Sequence, residues 1–191
     1  SAGRVSLSIG LAVSVISMTL GVFVGLVSGF FGGLVDDISN AVIQTMINIP
    51  LIFLLILLSL MFRPDPLTLA MIIGITGWMG TARLVRGEVF SIRERDYVEA
   101  ARMIGVDNLR IMVRHILPNV GSLIIVVAAF DVAGAILVES GLSFLGVGVQ
   151  PPTATWGNML INSREYVKNA PWLVAAPGTM IFLTILSIFL L

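Results

Sequence analysis

Two carboxylates stand where charge is otherwise rare. Asp131 interrupts an apolar run from Ile116 to Val138, and Glu139 closes it. Eight residues on a helix make about two turns, so the two side chains lie on similar faces. Acids so placed can attract a cationic group, or can pack between helices as hydrogen-bonded carboxyls. A charge inside the hydrocarbon layer is expensive, so an acid there is read first as functional, facing a pathway or a partner. Asp131 and Glu139 are therefore the candidate pathway residues, with Glu139 also placed to shape an outer vestibule or to bind local backbone. Other chemistries find no purchase. The absence of cysteine excludes disulfides and thiolate metal sites. The single histidine, His115, cannot form a histidine cluster. No catalytic or metal site is nominated.

The second concentration of charge is basic. Of eleven Lys and Arg, seven fall between positions 83 and 114: Arg83, Arg86, Arg93, Arg95, Arg102, Arg110 and Arg114. Among them lies "DYVEAARMIG", Asp96 to Gly105, in which six of the eight residues from Tyr97 to Ile104 are apolar. Asp96 followed by Glu99 fits a capping box, and Gly105 fits a left-handed stop, which predicts a helix over 97–104. Asp107 or Asn108 can cap a second helix, which must bend or end near Leu117 because Pro118 follows. An eight-residue helix with apolar side chains all round is neither stable alone in water nor fitted to face it. Arg110 and Arg114, four apart, repel slightly. Something must cover this elbow: a protein partner, with Ala100 and Ala101 permitting close approach, or an anionic membrane surface.

The elements that carry these residues follow from composition. The chain is 57% hydrophobic and 12% charged, with mean hydropathy +1.03. About a quarter of an ordinary globular domain is charged, so the shortfall identifies a bilayer protein. The net charge is zero, and nothing points to nucleic acid. With about 20 apolar residues needed per crossing, spans are expected near 8–31, 41–62, 66–83, 117–138 and 171–191. All are helical, since none shows the alternation of barrel strands. The fold class is an all-α polytopic bundle of about five spans in a single transmembrane domain. The arginine-rich loop, 84–116, is cytoplasmic by the positive-inside rule. Alternation puts "VDDISN" at 35–40 inside, "RPDP" at 63–66 outside and the turn-rich segment 139–170 outside. The N-terminus then starts outside without a cytoplasmic anchor, so the chain is expected to be a fragment lacking an earlier span, with its C-terminal tail also cut. Pro50 is expected to kink the second span. Gly21, Gly25, Gly29 and Gly33 give the first span a bare stripe for helix packing. Trp156 and Tyr166 suit an aromatic belt on an interfacial stretch over 156–168.

"EAARMIG" followed by "VRHILPN" resembles the EAA loop of ABC importer permeases. Glu99, Ala100, Ala101, Gly105, Leu117 and Pro118 occupy the matching positions. His115 stands where the general pattern has isoleucine, a variant similar to the dipeptide, oligopeptide and nickel branch. "ESGLSFLGVGVQPPTATWGNML", from Glu139 to Leu160, and "RVSLSIGL" at 4–11 resemble that branch as well. The likeness covers essentially the whole chain, and a lone EAA would be far weaker than this set together.

The resemblance implies the type I ABC importer permease fold in a bacterial or archaeal cytoplasmic membrane, with six spans in the complete protein. It implies a second permease subunit, two cytoplasmic ATPase subunits or domains that dock the elbow, and an external solute-binding protein. The chain itself would be no enzyme and bind no cofactor. ATP and Mg would be used by the partner ATPase, and no GxxxxGK[ST] loop is present here. Arg102, Arg110 and Arg114 become candidate ATPase contacts. The substrate would be a peptide or a related small solute. A stand-alone secondary transporter or channel is the competing reading, but it calls for several intramembrane polar groups and often an internal repeat, where one acid and no clear repeat are found. A membrane scaffold is the third.

Overall fold

The computed structural model describes residues 2–190, and the long apolar runs all become helices. α1 covers Ala2–Phe31, α2 Gly33–Ile47, α3 Leu51–Phe62 and α4 Pro66–Arg93. Two short helices follow, α5 at Asp96–Met103 and α6 at Asn108–Ile111, then a π-helical turn at Met112–Ile116. α7 is Leu117–Phe144, α8 Trp156–Asn162 and α9 Trp172–Phe189. By length and composition, α1, α4, the run from α6 through α7, and α9 can each cross a membrane, and α2 with α3 supplies a fifth span if counted as one.

Several boundaries differ from the expected ones, for local reasons. Gly32 and Gly33 both take positive φ, which turns the chain within one residue of the end of α1. The "VDDISN" stretch is thereby released to be helical, and it lies inside α2 rather than in a loop. Pro50 does more than kink the next span. It separates two helices, its carbonyl accepting the Phe53 and Leu54 N–H groups that begin α3. α4 continues to Arg93, so Arg83 and Arg86 are helical residues and not loop residues.

The helices pack into two compact units. One comprises Ser1–Ile16, Pro50–Thr76 and Ala128–Leu191. Its core gathers Ile9, Val13, Leu55, Leu69, Ile73 and Leu142, with a second cluster of Ile136, Trp156 and Ile181. Trp156 is thus a core residue, not part of an exposed aromatic belt, because the start of α8 folds onto its own unit.

The other unit comprises Ser17–Ile49 and Gly77–Val127. In it α1 and α4 meet at backbone distance. A methyl at Gly25 would stand 2.6 Å from the Ala82 carbonyl oxygen, and one at Gly29 would stand 2.8 Å from Val89 Cβ. Gly21 is equally confined by Thr81 and Trp78. Gly33 leaves the stripe, since nothing lies near it. Below this contact Phe30, Val89, Ile92, Val98, Ile111 and Ile116 form a core that reaches into the arginine-rich segment.

Candidate functional site

The arginine-rich segment is built on the end of α4. The Arg95 N–H bonds the Ile92 carbonyl, and the Arg95 carbonyl accepts from Val98 and Glu99. Arg95 is therefore the residue that precedes α5, with extended backbone and no side-chain capping bond. The expected capping box is absent. Asp96 is already helical and cannot cap its own helix. Asp96 and Glu99 instead lie in the first turn, where negative charge complements the helix dipole.

The far end of α5 does stop as expected. Gly105 takes φ +77. The Gly105 N–H bonds the Arg102 carbonyl at 3.0 Å, and the Val106 N–H bonds the Ala101 carbonyl at 3.0 Å. This pair of bonds is a Schellman motif, and Val106 packs with Ala101 in the same core, as such motifs favour. Asp107 then caps α6, its Oδ2 accepting from the Leu109 N–H at 3.0 Å.

The helix does not end near Leu117. Pro118 has no N–H for the Arg114 carbonyl, and its ring would collide with that carbonyl in a regular helix. The chain widens instead into the π turn, where the Leu117 N–H reaches back five residues to Met112. Asn119 Nδ2 donates to the His115 carbonyl within the same turn at 2.6 Å. The elbow thus runs without interruption into α7.

Its two faces differ. Val98 and Ala101 are buried with Ile111, Met112 and Ile116. Ala101 is therefore not available for close approach by another chain; its own core uses it. Ala100, Glu99 and Arg102 are exposed, as is Gly105. Beside them Met103 is 78% exposed, Ile104 81% and Leu109 63%. Leu117 is half-buried and Pro118 exposed. The Arg102 guanidinium lies over the Phe30 ring at 5.1 Å. Arg110 and Arg114 are exposed and, with Asp107, Leu109 and Val113, line a cavity of about 470 Å³.

From sequence, Arg86 and Arg93 contribute only to the charge of the loop. In the structure both are tied down. Arg86 holds Asp36 of α2 through Nε and Nη2. Arg93 Nη1 donates to the Gly29 carbonyl at 3.0 Å and to the Phe30 carbonyl at 3.5 Å, so it closes the C-terminus of α1. Both guanidiniums lie over the Phe90 ring, Arg86 at 4.7 Å and Arg93 at 4.3 Å from its centroid. Their spacing of four and three residues, which puts all three on one face of α4, was the available signal.

The two candidate acids occupy different surroundings. Asp131 is half-buried on α7. Glu139 is wholly buried, and its carboxyl oxygens accept from three serines: Ser143 at 2.9 Å, Ser6 at 3.3 Å and Ser140 at 3.4 Å. The available signal for two of these serines was their spacing, since Ser140 and Ser143 stand one and four residues after the acid.

Helices of this length and apolarity, together with the family match that follows, define a multi-pass α-helical membrane protein of the importer permease fold. The chain belongs to the family of binding-protein-dependent transport system inner membrane components, whose sequence profile matches residues 21–191. It is 38% identical over 183 residues to the oligopeptide transport system permease protein OppC of Haemophilus influenzae, covering 96% of this chain and 59% of that protein. It is 37% identical over 169 residues to the dipeptide transport system permease protein DppC of Bacillus subtilis, covering 88% of this chain and 53% of that protein. It is 37% identical over 188 residues to the di/tripeptide transport system permease protein DppC of Pseudomonas aeruginosa, covering 98% and 62%. The chain spans about three-fifths of the length of the curated relatives it matches.

Proposed function

We propose that this chain is the transmembrane permease part of an ATP-driven importer for peptides or a related small solute in a bacterial cytoplasmic membrane. It pairs with a second permease subunit, receives solute from an external binding protein, and couples through its elbow to cytoplasmic ATPase subunits that use ATP and Mg. The names of its relatives support the solute class. The observation that carries the coupling role is the division of the elbow. One face is locked into the chain's own core by Val98, Ala101 and Ile111, while Met103, Ile104 and Leu109, and also Glu99, are exposed. Exposed apolar side chains on a rigid base suit a partner's groove. Because α5 and α6 run through the π turn into α7, a movement of that partner would be passed to a span as rigid-body motion. Glu99, Ala100, Gly105, Leu117 and Pro118 build this lever, and Arg102, Arg110 and Arg114 offer charge to acidic residues of the ATPase. Asp131 remains the candidate for the pathway.

The test uses the full-length permease with its ATPase partners. Glu99→Lys and Gly105→Val are expected to insert into the membrane at wild-type levels, to lose copurifying ATPase and to abolish ATP-dependent uptake. Wild-type uptake with valine at 105 would overturn the coupling role.

A further inference from the structure

The Glu139 carboxyl accepts from three serine hydroxyls, and one of them belongs to another helix. Ser6, on α1, sends its proton to Glu139 because its oxygen already accepts the Trp156 N–H at 3.1 Å. Trp156 is the first residue of α8, and Thr155 before it is buried and caps that helix through the Asn158 N–H at 3.1 Å. The start of α8 has no clearance on either side. A methyl at Gly157 would stand 2.8 Å from Ser140 Cα, and one at Gly3 would stand 2.9 Å from the Trp156 indole. Asn158 Nδ2 donates to the Val149 and Thr153 carbonyls, both at 2.9 Å, so the preceding loop is tied to the same helix. α1, α7, the loop and α8 therefore converge on one buried carboxyl.

We propose that Glu139 is a positioning residue: through Ser6, Ser140 and Ser143 it clamps α8 and the loop before it onto α1 and α7, and so fixes the pose of the outer platform that receives delivered solute. The part concerning delivery rests on the permease reading above. The clamp itself rests on burial and geometry. A buried carboxyl is retained only where donors satisfy it, and buried serines in apolar helices otherwise turn to their own backbone. Here each group supplies what the others lack. Glutamine at 139 keeps the shape but replaces one acceptor oxygen by a donor. Ser6 and Ser140 share Oε2, so an amide nitrogen on that side deprives both of their acceptor. Alanine removes both oxygens.

The test is made on the assembled full-length importer in proteoliposomes, with Glu139→Gln, Glu139→Ala and Ser6→Ala. Backbone hydrogen exchange is followed at 156–162 and at 96–105, together with uptake as a function of binding-protein concentration. Glu139→Ala is expected to speed exchange across 156–162 by about tenfold while α5 stays unchanged. Ser6→Ala is expected to speed it chiefly at Trp156, and Glu139→Gln is expected to fall between. The concentration of binding protein that half-saturates uptake rises, and the maximal rate is kept. Unchanged exchange in Glu139→Gln and Ser6→Ala overturns the proposal, and these two decide it if Glu139→Ala does not assemble. A fall in maximal rate with unchanged half-saturation overturns it as well, returning Glu139 to the pathway. If the wild-type importer takes up no peptide, the permease reading fails while the exchange measurements still decide the clamp.

Discussion

Arg86 and Asp36, fifty residues apart, meet in a two-point grip: Nε and Nη2 of the guanidinium reach the two carboxylate oxygens, the second at 2.6 Å. The fork joins α4 to α2 in a geometry that lysine cannot copy. Asp36 has little exposure, so Arg86→Met takes both charged hydrogen bonds from its carboxylate and is expected to destabilise by about 1–3 kcal/mol. Asp36→Asn with Arg86→Met is expected to recover at least ~0.5 kcal/mol of the summed losses, the sign of a coupled pair. Thermal unfolding in detergent of the four-member cycle measures this, and strict additivity would show that the two residues act independently.

The contact between α1 and α4 makes a prediction of opposite sign at two glycines. Gly25→Ala places a methyl against the Ala82 carbonyl, which belongs to a helix backbone and cannot rotate away. A loss of about 1–3 kcal/mol is expected. Gly87, exposed and interior to α4, has nothing near its absent side chain. Gly87→Ala should therefore stabilise by about 0.5–1 kcal/mol through helix propensity alone. Equal effects at both positions would mean that close approach is not what Gly25 provides.

What could be read from the sequence divides along physical lines. The spans were legible because apolar runs between charges report burial in lipid directly, and the stripe at 21, 25 and 29 because close packing leaves a spacing. Gly105 was legible because a left-handed residue has few candidates. The start of α5 was misread because a cap depends on which carbonyl the chain presents, and the tight turn at Ile92–Arg95 moved the helix start by one residue. The π turn was missed because Pro118 announces a lost hydrogen bond but not how the helix absorbs it. Asp36–Arg86 and Glu139 with Ser6 join residues far apart in sequence, and no local pattern at either end points to the other.

The left-handed turn at Gly105 can be tested apart from transport. Its φ of +77 opposes any side chain, while nothing lies close enough to obstruct one. The penalty is therefore conformational. Gly105→Ala is expected to cost about 1 kcal/mol and Gly105→Asn less, since asparagine tolerates this region. Hydrogen exchange at Gly105 and Val106, whose N–H groups close the Schellman motif, should follow the same order. Alanine and asparagine behaving alike would argue that the turn relaxes to another conformation.

Asp65 supplies the pH dependence. It precedes α4 with Pro66 as the first helical residue, its side chain accepts the Thr68 N–H at 2.8 Å, and its carbonyl accepts from Leu69 at 2.9 Å. Hydrogen bonding from the Thr68 side chain, and then from its backbone, holds the carboxyl below the ordinary carboxylate range. A group depressed in the folded state stabilises above its unfolded pKa, about 3.9 for aspartate, and loses that stabilisation as pH falls through the folded value. Asp65→Ala should therefore unfold below the wild type at about pH 7, with the gap narrowing toward about pH 3. Asp65→Asn keeps an acceptor for the Thr68 N–H but has no carboxyl to titrate, so the contribution of position 65 should stay constant over the same interval. A wild-type-to-alanine gap that holds constant from neutral to acid pH would show that the carboxylate charge adds nothing to the cap.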